Sequence, residues 1–192
     1  YNSEGADDGM EWIELFNPTD QAIDLGLFSI GSGGNDYTYS TFQLSGTINP
    51  FSYFVVGGPG SSITNYNPVF DQAINFSPDL QNNGSGVADG VALFDVASVN
   101  IESNTVPIDV VIYGPDNVNN LLDETGFPGD CDVGSTSPGR SLERTTLDGD
   151  WQSTALPNPG TGVLPVPEPC TGVLALCGFA VFLVRRRRFR MY

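Results

Sequence analysis

Apolar and polar residues alternate along most of this chain in short runs, and glycine, proline and asparagine separate them. The clearest run is Glu11–Asn17 (EWIELFN), where Glu11, Ile13 and Leu15 alternate with Trp12, Glu14 and Phe16. A period of two places these sets on opposite faces of a β-strand. Asn17-Pro18-Thr19-Asp20 reads as a turn, since each residue type favours turn geometry. Further strands are predicted over 22–24, 27–30, 37–44, 51–56, 90–96, 108–113, 140–145 and 151–154. Gly31–Asp36 reads as a turn, 45–49 as a loop, 70–76 as a helical turn or a strand, and 117–124 as one helical turn. Short strands between turn signals, with no helical period longer than ten residues before the tail, predict an all-β sandwich or barrel.

The pattern changes at the C-terminal end. Pro157–Pro169 carries proline and glycine at short intervals and reads as a partly extended linker. Cys170–Val184 then runs for 15 residues with no polar side chain beyond Thr171. A helix of that length spans about 22 Å, short of the roughly 30 Å hydrocarbon core. Arginine stems reaching to the interface extend it. Pro167 and Pro169 cannot continue a helix backwards, so the predicted transmembrane helix covers about 170–184. Arg185, Arg186, Arg187, Arg188 and Arg190 follow it. These cations hold their end in the cytoplasm and leave everything upstream on the far side of the membrane.

Charge sharpens this division. Of 23 acidic residues, 22 precede Pro167, against only two arginines, Arg140 and Arg144, so the body carries −20 and the tail +4. There is no lysine and no histidine. A body this acidic repels phosphate backbones, which argues against nucleic-acid binding. Nucleophiles lack a histidine base, Schiff-base chemistry lacks a lysine, and histidine-dependent zinc sites are excluded. Cys131 is the body's sole cysteine, so no disulfide forms within it; it is free, paired between molecules or missing a partner upstream, and reads best as a small, partly buried residue. Export requires a leader, and the sequence begins at Tyr1 without one, so residues upstream of Tyr1 are expected.

Candidate chemistry is sparse. Asp7 and Asp8 stand beside glycines and are the leading candidates for a calcium site, since hard cations take several converging oxygens. The competing reading is a solvated acidic loop. Glu11 and Glu14 are a conceivable carboxylate pair for glycoside hydrolysis, though nearby carboxylates are expected in so acidic a body. Trp12 is expected in the core, and Arg140 and Arg144 are expected to pair with acids across the sheet, such as Asp109.

Two resemblances add to this. The ordered set Pro167-Glu168-Pro169, apolar span and arginine block resembles the PEP-CTERM sorting signal of Gram-negative bacteria, with Cys170 standing where that family more often has Ser, Ala or Thr. The resemblance implies recognition of Pro167, Glu168 and Pro169 by an exosortase-type membrane protease, cleavage nearby, and delivery to the cell surface or matrix. The body, from GADDGMEWIELFNPTDQAIDLGLFSI through DGVALFD, IDVVIYG and GRSLERT…DGDWQ…PNPGT, resembles a lamin-tail domain. That implies an immunoglobulin-like β-sandwich acting as a binding or structural module rather than an enzyme, with one more strand ahead of Tyr1. The expected organisation is a sandwich over 1–156, a linker over 157–165 and the sorting signal over 166–192. No cofactor other than the candidate calcium is expected. The expected function is an exported surface or matrix module whose ligand is a polysaccharide or protein. The alternatives are a permanently anchored single-pass protein and a calcium-dependent carbohydrate-binding or hydrolytic domain.

Overall fold

The computed structural model describes residues 1, 3, 8–81, 86–135, 137–147 and 149–162. Asp7, the Pro-Glu-Pro triplet, the apolar span and the arginine block lie outside the described residues.

The fold is β-rich. Eleven strands are described: β1 (Trp12–Phe16), β2 (Ile23–Asp24), β3 (Ser29–Gly33), β4 (Ser40–Gln43), β5 (Thr47–Ile48), β6 (Tyr53–Gly57), β7 (Gln72–Ala73), β8 (Asp89–Phe94), β9 (Asp109–Tyr113), β10 (Ser141–Arg144) and β11 (Trp151–Thr154). Helix among the described residues is limited to three 3-10 turns of three residues each, at Leu25–Leu27, Ile63–Asn65 and Ser98–Asn100. One sheet runs β1-β6-β7 and a second β4-β3-β8-β9, while β2-β5 and β10-β11 form two-stranded pairs. The single parallel pairing between named strands is β6 with β7.

Both larger sheets contribute to one hydrophobic core. Ile13 and Leu15 of β1 lie opposite Val56 and Phe54 of β6, and these pack with Ile30 of β3 and Val91 and Leu93 of β8. The period of two in β8 then builds a second core on the other face of that strand. Ala92 and Phe94 join Val110, Ile112, Tyr37 and Leu121 there, beneath the loops after β9. Strands β3 and β8 therefore carry apolar or small side chains on both faces, as strands covered on both sides must.

Several expectations shift for physical reasons. Gly31–Asp36 was expected to be a turn, but β3 continues through Gly33 and is buried throughout. Its small residues make room for neighbours: a Cβ on Gly31 would stand 3.0 Å from Phe94 Cε2 and 3.1 Å from Tyr37 Cβ. The predicted loop over 45–49 contains β5, which pairs with β2. Residues 70–76 contain the strand β7 rather than a helical turn. No helical turn forms at 117–124 among the described residues. The side chain of Asn117 organises that segment instead, donating to the carbonyls of Leu121 and Gly129 and accepting from the Leu121 amide.

Two further asparagines work the same way. Asn17 is 1% exposed. It donates to the carbonyls of Gln21, Ile48 and Asn49 and accepts from Thr19. Asn65, fully buried, donates to the carbonyls of Met10 and Gly60 and accepts from the Ser62 amide. In a chain with so little regular structure outside the strands, these side chains satisfy buried loop carbonyls that would otherwise cost about 1–3 kcal/mol each.

Candidate functional site

β1 lies at the end of its sheet, with β6 on one side only. The bonds from Gly58 N to the Glu11 carbonyl and from Asn17 N to the Ser52 carbonyl show which residues face β6. By alternation, the backbone groups of Trp12, Glu14 and Phe16 point outward. The Trp12 carbonyl accepts from the Tyr1 amine at 2.9 Å, and the Tyr1 ring stacks on the indole at 5.3 Å. Trp12 is buried, as its pattern predicts, and its Nε1 donates to the Asn65 carbonyl.

Beyond this edge lies a cavity of about 540 Å³. Its walls are β1, the β8–β9 face and the β10–β11 hairpin, with Leu15, Leu93, Val111 and Leu142 among the lining side chains. Glu14 and Arg144 are among the charged groups that line it, and a third set lies on the edge of β9. Glu14 is the most perturbed. Burial pushes its carboxyl up to about 7, opposed by a hydrogen bond from the Gly160 amide and reinforced by the charges of Glu143 and Asp71. Its Oε2 accepts that amide, so the carboxyl fastens the segment after β11 across the aromatic face of β1.

Arg144 is the second. It donates to the Val110 carbonyl at 3.3 Å, pairs with Asp109 at 2.8 Å and stands 3.8 Å from Glu124. Its guanidinium also lies 4.6 Å from the centre of the Trp151 ring, its cross-strand partner. The expected pairing with Asp109 is thus present. Burial lifts the Asp109 carboxyl above its usual range despite the adjacent guanidinium. The Trp151 Nε1 is buried and has no hydrogen-bond partner among the described residues.

The third is the edge of β9. The Val110 amide donates to Glu124 Oε1 at 3.1 Å and the Ile112 amide to Asp132 Oδ2 at 2.7 Å. Asp132 N donates to the Ile112 carbonyl at 2.8 Å, and Gly114 N to the Val133 carbonyl. Behind these bonds is a polar cavity of about 360 Å³, lined also by Asp123, Asp130 and Asp150.

Asp8, the described member of the candidate calcium pair, is exposed and accepts from Asn75 Nδ2 at 2.6 Å. Among the described residues no three acidic or cysteine side chains are grouped to hold a metal ion, and no helix is long and apolar enough to cross a membrane. Glu11 and Glu14 do not form a catalytic pair, because they occupy opposite faces of β1. Glu11 is buried and accepts from the Leu80 amide, whereas Glu14 holds Gly160. Cys131 is a partly buried free thiol. Neither the tie between Glu14 and Gly160 nor the carboxylates on β9 emerged from the sequence. Glu14 did carry a signal, a charge alternating in register with Trp12 and Phe16 on an aromatic face.

Comparison with known protein families, curated proteins and solved structures finds no match.

Proposed function

We propose that this chain is an exported, non-catalytic binding or structural module whose body is an immunoglobulin-like sandwich of the lamin-tail type. A C-terminal signal delivers it to the cell surface or matrix. One observation carries the reading. A body of net −20 gives way, within a few residues of a Pro-Glu-Pro triplet, to an apolar span closed by five arginines. Positive charge stays cytoplasmic, so this order leaves the acidic body outside and the triplet near the outer surface, where an exosortase-type protease acts.

The body fits that role. Two sheets share one core.

The test is mass spectrometry of the mature protein from a Gram-negative host that carries an exosortase. A C-terminus near Pro169, lost on Glu168→Ala substitution, is the expected result. A C-terminus at Tyr192 in that host overturns sorting and leaves permanent anchoring.

A further inference from the structure

An edge strand with free amides and carbonyls is a template for pairing with another chain. β9 ends its sheet, yet its outward groups are occupied by side chains and by the loop backbone at Asp132 and Val133. Glu124 takes the Val110 amide and Asp132 the Ile112 amide. Arg144 takes the Val110 carbonyl, and the Asp132 amide takes that of Ile112.

These capping groups crowd one another. The titratable and charged groups facing Asp132 come from every element around it: Asp109 on β9, Asp123 and Glu124 on the following loop, and Asp130 and Cys131 beside it. Arg144 on β10 and Asp150 before β11 complete the ring. The Tyr37 phenol, bonded to the Leu122 carbonyl, approaches from the second core. Asp132, Asp109 and Glu124 thus share the Arg144 guanidinium, while Asp123, Asp130 and Asp150 line the same polar cavity.

We infer that Glu124 and Asp132 form a removable cap on the edge of β9, one that tightens in acid and loosens as the surrounding carboxyls ionise. The direction follows from linkage. Burial is the main cause holding the Asp132 and Asp109 carboxyls above their ordinary value of 3.8. The closed cap therefore binds protons more tightly than an open one, in which these groups return to water. Acid favours closure. Opening becomes easier as pH rises above 3.8, and the effect levels off once the capped carboxyls have also ionised. When open, the cap frees the Val110 and Ile112 amides for pairing.

Hydrogen exchange followed by NMR, expressed as protection factors at pH 4.5 and 7.5, tests this on the protein as it exists. Ala92, at the centre of the sheet, reports global opening. Protection at Val110 and Ile112 is expected to fall at least about fivefold more than at Ala92 on going to pH 7.5, as local opening allows. Added salt should restore it. Asp132→Asn keeps an acceptor oxygen without the charge and should remove most of that fall. Glu124→Gln provides the same readout independently if the first variant folds poorly. An equal fall at Ala92, no fall at all, or a fall of unchanged size in both variants overturns the cap.

Discussion

Glu14→Gln is expected to stabilise the protein, and only above acidic pH. Wild-type Glu14 is a carboxyl moved from 4.5 to about 7, chiefly by burial. Such a displacement corresponds to about 3 kcal/mol against the charged form. The side chain keeps some contact with water, which screens the effect, so about 2 kcal/mol is the working figure. Below pH 4.5 the group is protonated in both folded and unfolded states and contributes nothing. Between 4.5 and 7 the unfolded chain ionises first, and stability falls; above 7 the penalty is constant. Glutamine retains an oxygen for the Gly160 amide without this slope. Urea unfolding of both proteins at pH 4 and pH 8 measures the difference of differences, which cancels the titration of the other acids. The variant should gain about 2 kcal/mol at pH 8, or roughly 4–8 °C in Tm for a body of this size, and nothing at pH 4. An equal gain at both pH values, or a loss at pH 8, refutes the reasoning.

Arg144→Met should destabilise by about 1–3 kcal/mol, because it strands Asp109 and the Val110 carbonyl while retaining the stem. Arg144→Lys should recover only part, since the guanidinium serves two acceptors and a ring at once; thermal melts of the pair check this. Phe94→Ala should cost about 3–5 kcal/mol by chemical denaturation, since the ring is fully buried in the second core and edge-on to Tyr37 at 5.9 Å. Gly57→Ala should cost more than about 1 kcal/mol in the same assay. Its φ of +147° disfavours a side chain, and the new Cβ would collide with the Glu11 carbonyl and stand 2.7 Å from Trp12 Cα.

Where alternation was strong, the sequence was informative. β1, β9 and β10 fall within the runs that predicted them, and β8 overlaps its run with Asp89 ahead of it; β8 and β9 bury apolar side chains at alternate positions. β3 was half hidden, because Ser29, Gly31, Ser32 and Gly33 look like turn residues. Gly31 has no side chain because Phe94 and Tyr37 need the space, and Gly33 because Asp36 and Tyr39 approach it, constraints that no local pattern announces. Asn117–Glu124 suggested a helical turn because nothing local announced that Asn117 would bond the Gly129 carbonyl. The candidate site was legible at Trp12 and at the pairing of Arg144 with Asp109, where opposite charges in a nearly cation-free body leave few choices. The placement of Glu14 against Gly160, 146 residues on, and of Glu124 and Asp132 along β9 depends on tertiary approach, to which neither periodicity nor composition is sensitive.

The asparagines that bind the loops together also bear on how the molecule ages. Deamidation replaces an NH₂ donor with a carboxylate oxygen. At Asn17, Asn65 or Asn117 that oxygen would face backbone carbonyls now served by the amide. One such event would turn two attractive contacts repulsive, so each of these sites would behave as a slow chemical clock on the shelf life of the fold. Their successors are Pro18, Tyr66 and Val118 rather than glycine. A bulky or ring-locked successor hinders the backbone nitrogen from attacking the side-chain amide. The same positions that give the loops their shape are therefore flanked by residues that slow the reaction that would undo them.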